Sequence, residues 1–264
     1  MYHSIGDKVS KRFAPFVVPP CQFAEQMAYL AEAGYTSLTV TQLVAAWSGG
    51  LEALPARSVV LTFDDGFADF RTQALPVLER YGFRATLFVT TGFVGSTSQW
   101  LARDGAGERP LLSWRELSEV SAAGIECGGH SHTHPALDAL PVARVRTEIT
   151  ECRDRLEQAL GRVVCAFAYP FGYHSPSVQT AVREAGYTSA CAVQYTASRP
   201  DNDRYALARL IVTRNTSLKT FTQLVVSGGS TPDQLARRIR GAVWARIRHA
   251  HYGVIHTREA KGTA

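Results

Sequence analysis

The feature of this sequence that most constrains its fold is a repeated alternation of short β-rich apolar runs with amphipathic helical segments. The segment 23–33 has apolar residues at helical spacing and stops at Gly34, and the following run 36–40 is rich in β-branched residues. The later predicted strands are 58–63, 85–90, 125–127, 163–168, 189–193 and 207–212, and the later predicted helices are 72–81, 113–124, 142–160 and 177–185. This order predicts parallel strands joined by helices, as an open sheet or a closed barrel.

Length and composition agree with this architecture. The chain has 264 residues, of which 45% are hydrophobic and 19% are charged, so neither a disordered nor a fibrous protein is indicated. No run approaches the roughly 20 apolar residues of a membrane-spanning helix, and the first residues lack the basic and apolar regions of a signal peptide. We therefore expect a cytoplasmic or peripheral membrane protein, with a location in the cell envelope left open.

The last part of the chain differs in character. Residues 228–232 (GGSTP) form a linker-like turn, so we predict a catalytic domain at 1–226 and a basic tail at 227–264. The predicted helix of the tail has an apolar stripe, and its other positions include Arg237, Arg238, Arg240, Arg246 and Arg248. Such a stripe suits packing on its own domain, and the arginines suit a membrane surface or an acidic partner. The net charge of +5 is concentrated here, and we expect no nucleic-acid partner.

Polar clusters directly follow three of the predicted strands. They are Asp64-Asp65-Gly66 after 58–63, the histidine cluster 130–134 after 125–127, and the turn Tyr169-Pro170-Phe171-Gly172 after 163–168. Functional sites in parallel α/β proteins lie at the C-terminal ends of the strands. These three segments are therefore the candidates for one site.

Two of the clusters together offer the ligands of a metal ion. His130 and His134 are four residues apart, so on a helical turn both imidazoles project from one face and can bind the same ion. Asp65 can supply a third ligand, and three protein ligands leave an open position for water, which is typical of a catalytic zinc site. His132 lies between the two histidines and should point elsewhere. The alternative is that Asp64 and Asp65 cap a helix, while the histidines lie on the surface of a turn.

The motifs as a set resemble those of the polysaccharide deacetylase family, also called the NodB homology domain. The resemblance spans about residues 2–224 and rests on Thr62-Phe63-Asp64-Asp65-Gly66, Ser113-Trp114-Arg115-Glu116-Leu117, His130-Ser131-His132-Thr133-His134 and Tyr169-Pro170-Phe171-Gly172. It implies an α/β fold, a distorted (β/α) barrel, followed here by the predicted C-terminal basic helix. It also implies an acetylated glycan as substrate, usually with N-acetylglucosamine units, and one divalent metal ion, with zinc expected.

The resemblance assigns roles to matching positions. Asp65, His130 and His134 would bind the metal, and Asp64 would be the catalytic base. This agrees with the chemistry, because a metal lowers the pKa of bound water towards about 7 and a nearby carboxylate can then deprotonate it. Both aspartates can face one site only if the chain turns there, which Gly66 permits.

The turn after the third strand has a role of its own in the resemblance. The backbone N–H of Phe171 corresponds to an oxyanion-hole donor, and we predict that Tyr169, Pro170 and Phe171 contact the substrate. Ala168 stands where many members of the family carry an arginine that pairs with the catalytic aspartate.

A subset of the family lacks that arginine and opens with a Tyr-His motif, which Tyr2-His3 resembles. This subset includes N-deacetylases of exopolysaccharides. We hypothesise that Arg209, at the start of the predicted strand 207–212, supplies the cation that lowers the pKa of Asp64. The alternative is a surface or purely structural arginine.

The residue that protonates the leaving amine is not assigned by the sequence. The candidates are His3, His132, His174 and His256. The leading hypothesis is an N-deacetylase of an acetylated glycan. An O-acetyl or small-amide hydrolase of the same chemistry is one alternative, and a catalytically weak glycan-binding protein is the other.

Overall fold

The structure is a computed structural model that describes residues 1–7, 10–49 and 54–229. Its strands are β1 (Ser4–Ile5), β2 (Val17–Val18), β3 (Thr36–Leu38), β4 (Ser58–Val60), β5 (Thr62–Phe63), β6 (Thr86–Val89), β7 (Glu126–Gly129), β8 (Ala166–Ala168) and β9 (Ser189–Cys191). Its α-helices are α1 (Pro20–Glu32), α2 (Val40–Gly49), α3 (Leu75–Arg80), α4 (Trp114–Ala122), α5 (Val142–Leu160), α6 (Pro176–Glu184) and α7 (Leu218–Ser227).

Five parallel strands form the central sheet in the order β5-β6-β7-β8-β9. The order in the sheet is the order in the chain, so each crossover moves one place in the same direction and the sheet curls. The pairs β1–β2 and β3–β4 are also parallel. The predicted strand 58–63 is divided, because β4 pairs with β3 whereas β5 pairs with β6.

Backbone hydrogen bonds beyond β9 close the curled sheet into a ring. They join Ala192 N to Leu207 O (2.7 Å), Val212 N to Met1 O (2.9 Å) and Tyr2 N to Thr62 O (2.8 Å). The ring thus runs from β5 through β9 to the segment 207–212, then to residues 1–2, and back to β5. The predicted distorted barrel is confirmed.

The predicted strand 207–212 is wrong as a regular strand. Only an isolated bridge between Cys191 and Leu207 is formed there. The reason is that this segment has no single partner: Leu207 bonds to β9, Arg209 O accepts from Tyr195 N–H, and Leu210 O accepts from Met1 N. A strand ladder needs consecutive bonds to one neighbour, and these bonds are shared among three.

Local signals position the helices around the barrel. Ser113 caps α4 with a complete capping box, because its hydroxyl accepts from Glu116 N–H and the Glu116 carboxylate accepts from Ser113 N–H. Helix α5 has the bounds predicted for it and packs its apolar stripe against the sheet. None of the helices in the described ranges is long and apolar enough to cross a membrane. The predicted basic helix lies outside the described residues, and the domain boundary at 226/227 stays a prediction.

Candidate active site

The structure brings together the three side chains predicted as metal ligands. Asp65 Oδ1 lies 3.2 Å from His134 Nε2 and 3.5 Å from His130 Nε2. One ligand atom from each residue lies within 4.8 Å of the other two, and all three residues are buried. The cluster sits beyond the C-terminal ends of β5 and β7, where parallel strands place functional loops.

The atoms of this cluster fit a divalent metal ion. Asp65 Oδ1 is buried and accepts no hydrogen bond from the described residues. His130 Nδ1 is 2.8 Å from the carbonyl oxygen of Ala168, so Nδ1 carries the proton and Nε2 presents its lone pair to the cluster. Burial, more than any other cause, lowers the pKa of His130 to about 4 and keeps it neutral at pH 7. Two imidazole nitrogens and a carboxylate are a donor set of catalytic zinc sites.

The two aspartates share one site because the chain reverses directly after β5. Asp65 has φ +76° and Gly66 has φ +81°, both in the left-handed region. The turn expected at Gly66 therefore begins one residue earlier, at a residue with a side chain. Asp64 and Asp65 both line one cavity as a result, and neither caps a described helix.

The predicted helical turn at the histidines is wrong. Residues 130–134 form an irregular loop after β7, in which Ser131 has φ +62° and His134 has φ +61°. His134 N–H donates to the Ser131 hydroxyl at 3.0 Å and closes the loop. Two left-handed residues, rather than helical spacing, bring the imidazoles together.

His132 points away from the cluster. Its Nδ1 lies 3.0 Å from the Thr91 hydroxyl, and its Nε2 lies 3.5 Å from a carboxylate oxygen of Glu151. This placement agrees with the expectation from the sequence that the middle histidine faces elsewhere.

Asp64 forms a bidentate ion pair with Arg209. Arg209 Nη1 lies 2.6 Å from Asp64 Oδ1, and Nη2 lies 2.9 Å from Oδ2. Arg209 is only 7% exposed, so the alternative of a surface arginine is wrong. Its Nε donates to the carbonyl oxygen of Ala192 at 3.1 Å, which fixes the guanidinium plane.

The ion pair determines the charge of Asp64. Burial raises the pKa of this carboxyl, but Arg209, followed by His130 and His3, outweighs burial and holds the pKa well below its usual range. Asp64 is therefore ionised at neutral pH while Arg209 is in place.

The turn after β8 exposes one backbone donor. Gly172 N–H donates to Tyr169 O, and Tyr173 N–H donates to Pro170 O, whereas Phe171 N–H has no acceptor among the residues that the structure describes. Phe171 has φ +61° and Gly172 has φ +74°. A Cβ at Gly172 would lie 2.6 Å from Val193 Cβ, so the turn depends on glycine there.

The three predicted substrate contacts are placed differently. Tyr169 is fully buried and donates its hydroxyl to Tyr205 O, and Pro170 is buried beside it. Neither residue is among those that line the cavity, and their contact with substrate stays a prediction. Phe171 is 52% exposed and its ring meets the His134 ring edge-on at 4.8 Å, so this residue alone of the three lies at the cavity.

A cavity of about 310 Å³ opens over Asp64 and the cluster. Its aromatic lining consists of Phe13, Phe16, Trp100, Phe171, Tyr173 and Tyr195. Trp100 stacks on the His134 imidazole, with ring centroids 5.0 Å apart and planes 23° apart. Sequence reasoning missed Trp100, which lies in the short 3-10 helix Gln99–Asp104, because a single tryptophan outside any motif gives no signal that would have found it.

The histidines considered as proton donors differ in their position relative to the cavity. His3 lines the cavity, while His174 stacks on Tyr169 at 4.9 Å outside it. Burial lowers the pKa of His3, and the nearby Asp65 and Asp64 carboxylates partly oppose this shift. His256 lies outside the described residues.

Comparison with known proteins decides the family. The sequence profile of the family described as polysaccharide deacetylase matches residues 52–190, which is more than half of the chain. The chain belongs to the polysaccharide deacetylase family. The resemblance drawn from the motifs, and the enzyme class that it implies, are confirmed.

Two curated relatives of this deacetylase are similar over most of its length. YxkH of Bacillus subtilis (strain 168) is 27% identical over 228 residues, covering 86% of this chain and 75% of that protein. The poly-beta-1,6-N-acetyl-D-glucosamine N-deacetylase of Staphylococcus epidermidis is 27% identical over 217 residues, covering 78% of this chain and 71% of that protein. The chain spans only 38% of the Escherichia coli (strain K12) protein of the same name, at 23% identity over 86% of this chain.

Solved structures share the barrel. The Streptococcus pyogenes deacetylase PplD, solved in complex with acetate, superposes with a TM-score of 0.74 at 24% identity, over 88% of this chain and 96% of that chain. IcaB from Ammonifex degensii superposes with a TM-score of 0.71 at 22% identity, over 87% of this chain and 95% of that chain. At these identities the superpositions support the fold of this deacetylase.

Proposed function

We propose that this deacetylase removes N-acetyl groups from a polysaccharide of N-acetylglucosamine, with one divalent metal ion, zinc, held by Asp65, His130 and His134. The observation that carries the proposal is the ion-paired Asp64 carboxylate beside the three-ligand cluster in one open cavity. The name of the Staphylococcus epidermidis relative supports the choice of glycan. When bound, zinc supplies Lewis acidity that lowers the pKa of water to about 7 and polarises a carbonyl group.

Asp64 orients the attacking water and takes its proton. Because Arg209 holds the pKa of Asp64 well below its usual range, the carboxylate is ionised and ready, but it does not retain a proton. The proton therefore passes to a more basic group in the cavity.

His3 is the group to which this proton passes in our proposal. Among the described histidines outside the metal cluster, His3 alone lines the cavity. Burial keeps the imidazole neutral, so it can receive a proton and deliver it to the nitrogen of the leaving amine. The overall transfer balances, because one proton leaves the water and one reaches the amine as the C–N bond breaks.

Phe171 N–H stabilises the oxyanion that forms at the acetyl carbonyl. The donor is free among the described residues and is fixed by the flanking hydrogen bonds of its turn. A single fixed donor of this kind contributes about 2.7–4 kcal/mol of transition-state stabilisation in other enzymes. The exposed Phe171 ring borders the same cavity and offers an apolar surface to a sugar ring.

Acetate release tests the proposal. The purified protein, loaded with zinc or treated with a chelator, is incubated with β-1,6-linked and β-1,4-linked N-acetylglucosamine oligomers and with an O-acetylated sugar. We expect acetate from a β-1,6-linked oligomer with zinc and none after chelation. Release from the O-acetylated sugar alone would favour an esterase, and zinc binding without any turnover would favour a glycan-binding protein.

A further inference from the structure

One buried carboxylate holds the loop between the two metal-binding histidines. Glu148 of α5 accepts two hydrogen bonds from Thr133, from the N–H to Oε2 at 2.7 Å and from the hydroxyl to Oε1 at 2.6 Å. Its carbonyl oxygen also accepts from His132 N–H at 3.0 Å. Three hydrogen bonds thus join one helix position to two consecutive residues of the loop that separates His130 from His134.

Glu148 occupies a place where an apolar residue is expected. It is 2% exposed and lies on the buried face of α5, whose other members are Val145, Ile149, Cys152 and Leu156. A carboxylate in such surroundings is costly unless hydrogen bonds satisfy its oxygens. The nearest cation is Arg144, whose Nη2 lies 3.8 Å from Oε1 and whose side chain is 65% exposed, so it compensates little. The loop donors are the main partners of this carboxylate.

The loop needs such an anchor because its backbone is strained. Ser131 and His134 both have positive φ, a conformation that costs a residue with a side chain free energy. If the hydrogen bonds between the Glu148 carboxylate and Thr133 are lost, the Thr133 N–H and hydroxyl lose their acceptors. The loop is then expected to relax towards ordinary backbone angles. The imidazoles of His130 and His134 then no longer face the same point.

We propose that Glu148 is a positioning residue of the metal site, which holds residues 131–133 in the conformation that directs His130 and His134 to one ion. The inference rests on the proposed function, because it takes these histidines as zinc ligands. Glu148 itself touches neither the cluster nor the cavity. Its effect is therefore exerted on metal affinity through the loop.

Zinc affinity, measured by competition with a chromophoric chelator, tests this inference alongside thermal unfolding of the metal-free protein. We expect Glu148→Ala to weaken zinc binding about 10- to 100-fold. Glu148→Gln should restore most of the affinity, because its amide oxygen can accept from Thr133 N–H and its amide nitrogen can donate to the Thr133 hydroxyl. Leu156→Ala is the matched control: it removes packing from the same face of α5, lowers the unfolding temperature, and should keep wild-type zinc affinity.

Thr133→Ala covers the case in which Glu148→Ala does not fold. Thr133 is exposed, so its substitution removes little packing, and loss of the hydrogen bond from its hydroxyl to Glu148 should weaken zinc binding about 2- to 10-fold. Wild-type zinc affinity in both Glu148→Ala and Thr133→Ala would overturn the inference, but it would not contradict the proposed metal site. Equal weakening by Leu156→Ala at equal loss of stability would overturn it too. A wild-type protein that binds no zinc would overturn the proposed function itself.

Discussion

The guanidinium of Arg209 bonds to both carboxylate oxygens of Asp64 across 145 residues of sequence, at 2.6 and 2.9 Å. Both side chains are buried, so each charge is the main ionic partner of the other. Breaking a buried pair from one side leaves the other charge uncompensated, which costs far more than losing a surface ion pair. This pair links the chemistry of the site to the closure of the barrel, because Arg209 lies in the segment 207–212 that completes the ring.

Replacement of Arg209 should change the pH dependence of activity. In the wild type the folded-state pKa of Asp64 lies below its unfolded value, so the pair stabilises the fold above the unfolded pKa and loses this contribution as the pH falls through the folded pKa. Arg209→Met leaves burial to raise the pKa of Asp64. We expect the acidic limb of kcat/KM to move to higher pH, and the free energy of unfolding at pH 7 to fall by about 3–5 kcal/mol.

A pH–rate profile and urea unfolding check this prediction, with Arg146→Met as the control. Arg146 is an exposed arginine paired with Glu184, and its loss should leave both measurements near wild type. An unchanged acidic limb in Arg209→Met would show that Arg209 does not control the ionisation of Asp64.

Substitution of the two adjacent aspartates should affect different properties, catalysis for Asp64 and zinc binding for Asp65. Asp64→Asn keeps the three-ligand cluster and should lower kcat about 10²- to 10⁴-fold while zinc still binds. Asp65→Ala removes a ligand and should abolish tight zinc binding along with activity. Bound zinc measured by atomic absorption, together with acetate release, distinguishes the two variants. Loss of zinc from Asp64→Asn would contradict the assignment of Asp64 as base.

His3 should matter only when the leaving group needs a proton. We expect His3→Gln to lower kcat on an N-acetylglucosamine oligomer about 10²- to 10⁴-fold, since an amine leaves poorly without protonation. Hydrolysis of 4-nitrophenyl acetate should stay near the wild-type rate, because 4-nitrophenolate leaves unprotonated. His174→Gln, outside the cavity, serves as the control for both substrates. An equal loss on both substrates would exclude His3 as the proton donor.

Two glycines with positive φ offer a matched test of the oxyanion donor. Gly172→Ala places a Cβ against Val193 and should displace the turn that carries Phe171 N–H, lowering kcat about 10²- to 10³-fold. Gly161→Ala has a similar φ of +64° but meets nothing within 4 Å, so it should cost about 1 kcal/mol of stability without loss of activity. Steady-state kinetics and thermal unfolding compare the two. Similar kcat values in both variants would refute the role of this turn.

The sequence was sufficient to predict features that depend on local patterns. Helix α5 has the bounds expected from its apolar periodicity, and the capping box at Ser113 is formed as its spacing indicates. The proximity of Asp65, His130 and His134 was also predictable, since the three residues lie in short motifs beside strand ends.

Features that depend on distant partners were not predictable from local patterns. The spacing of His130 and His134 suits a helix, and the loop forms instead with Glu148 as its anchor from another element. A charged residue within the apolar stripe of α5 was the available signal. The segment 207–212 has the composition of a strand, but its hydrogen bonds go to three different neighbours, which only the closed ring determines.

The left-handed backbone angles have a consequence for engineering this enzyme. All five non-glycine residues with positive φ in the described ranges, Asp65, Ser131, His134, Phe171 and Tyr195, line the cavity or the loop that ends at His134. Each such angle costs about 1–3 kcal/mol. Directed evolution that selects for heat resistance alone would therefore favour glycine at these positions. Such variants would be more stable, but they would lack side chains of the active site.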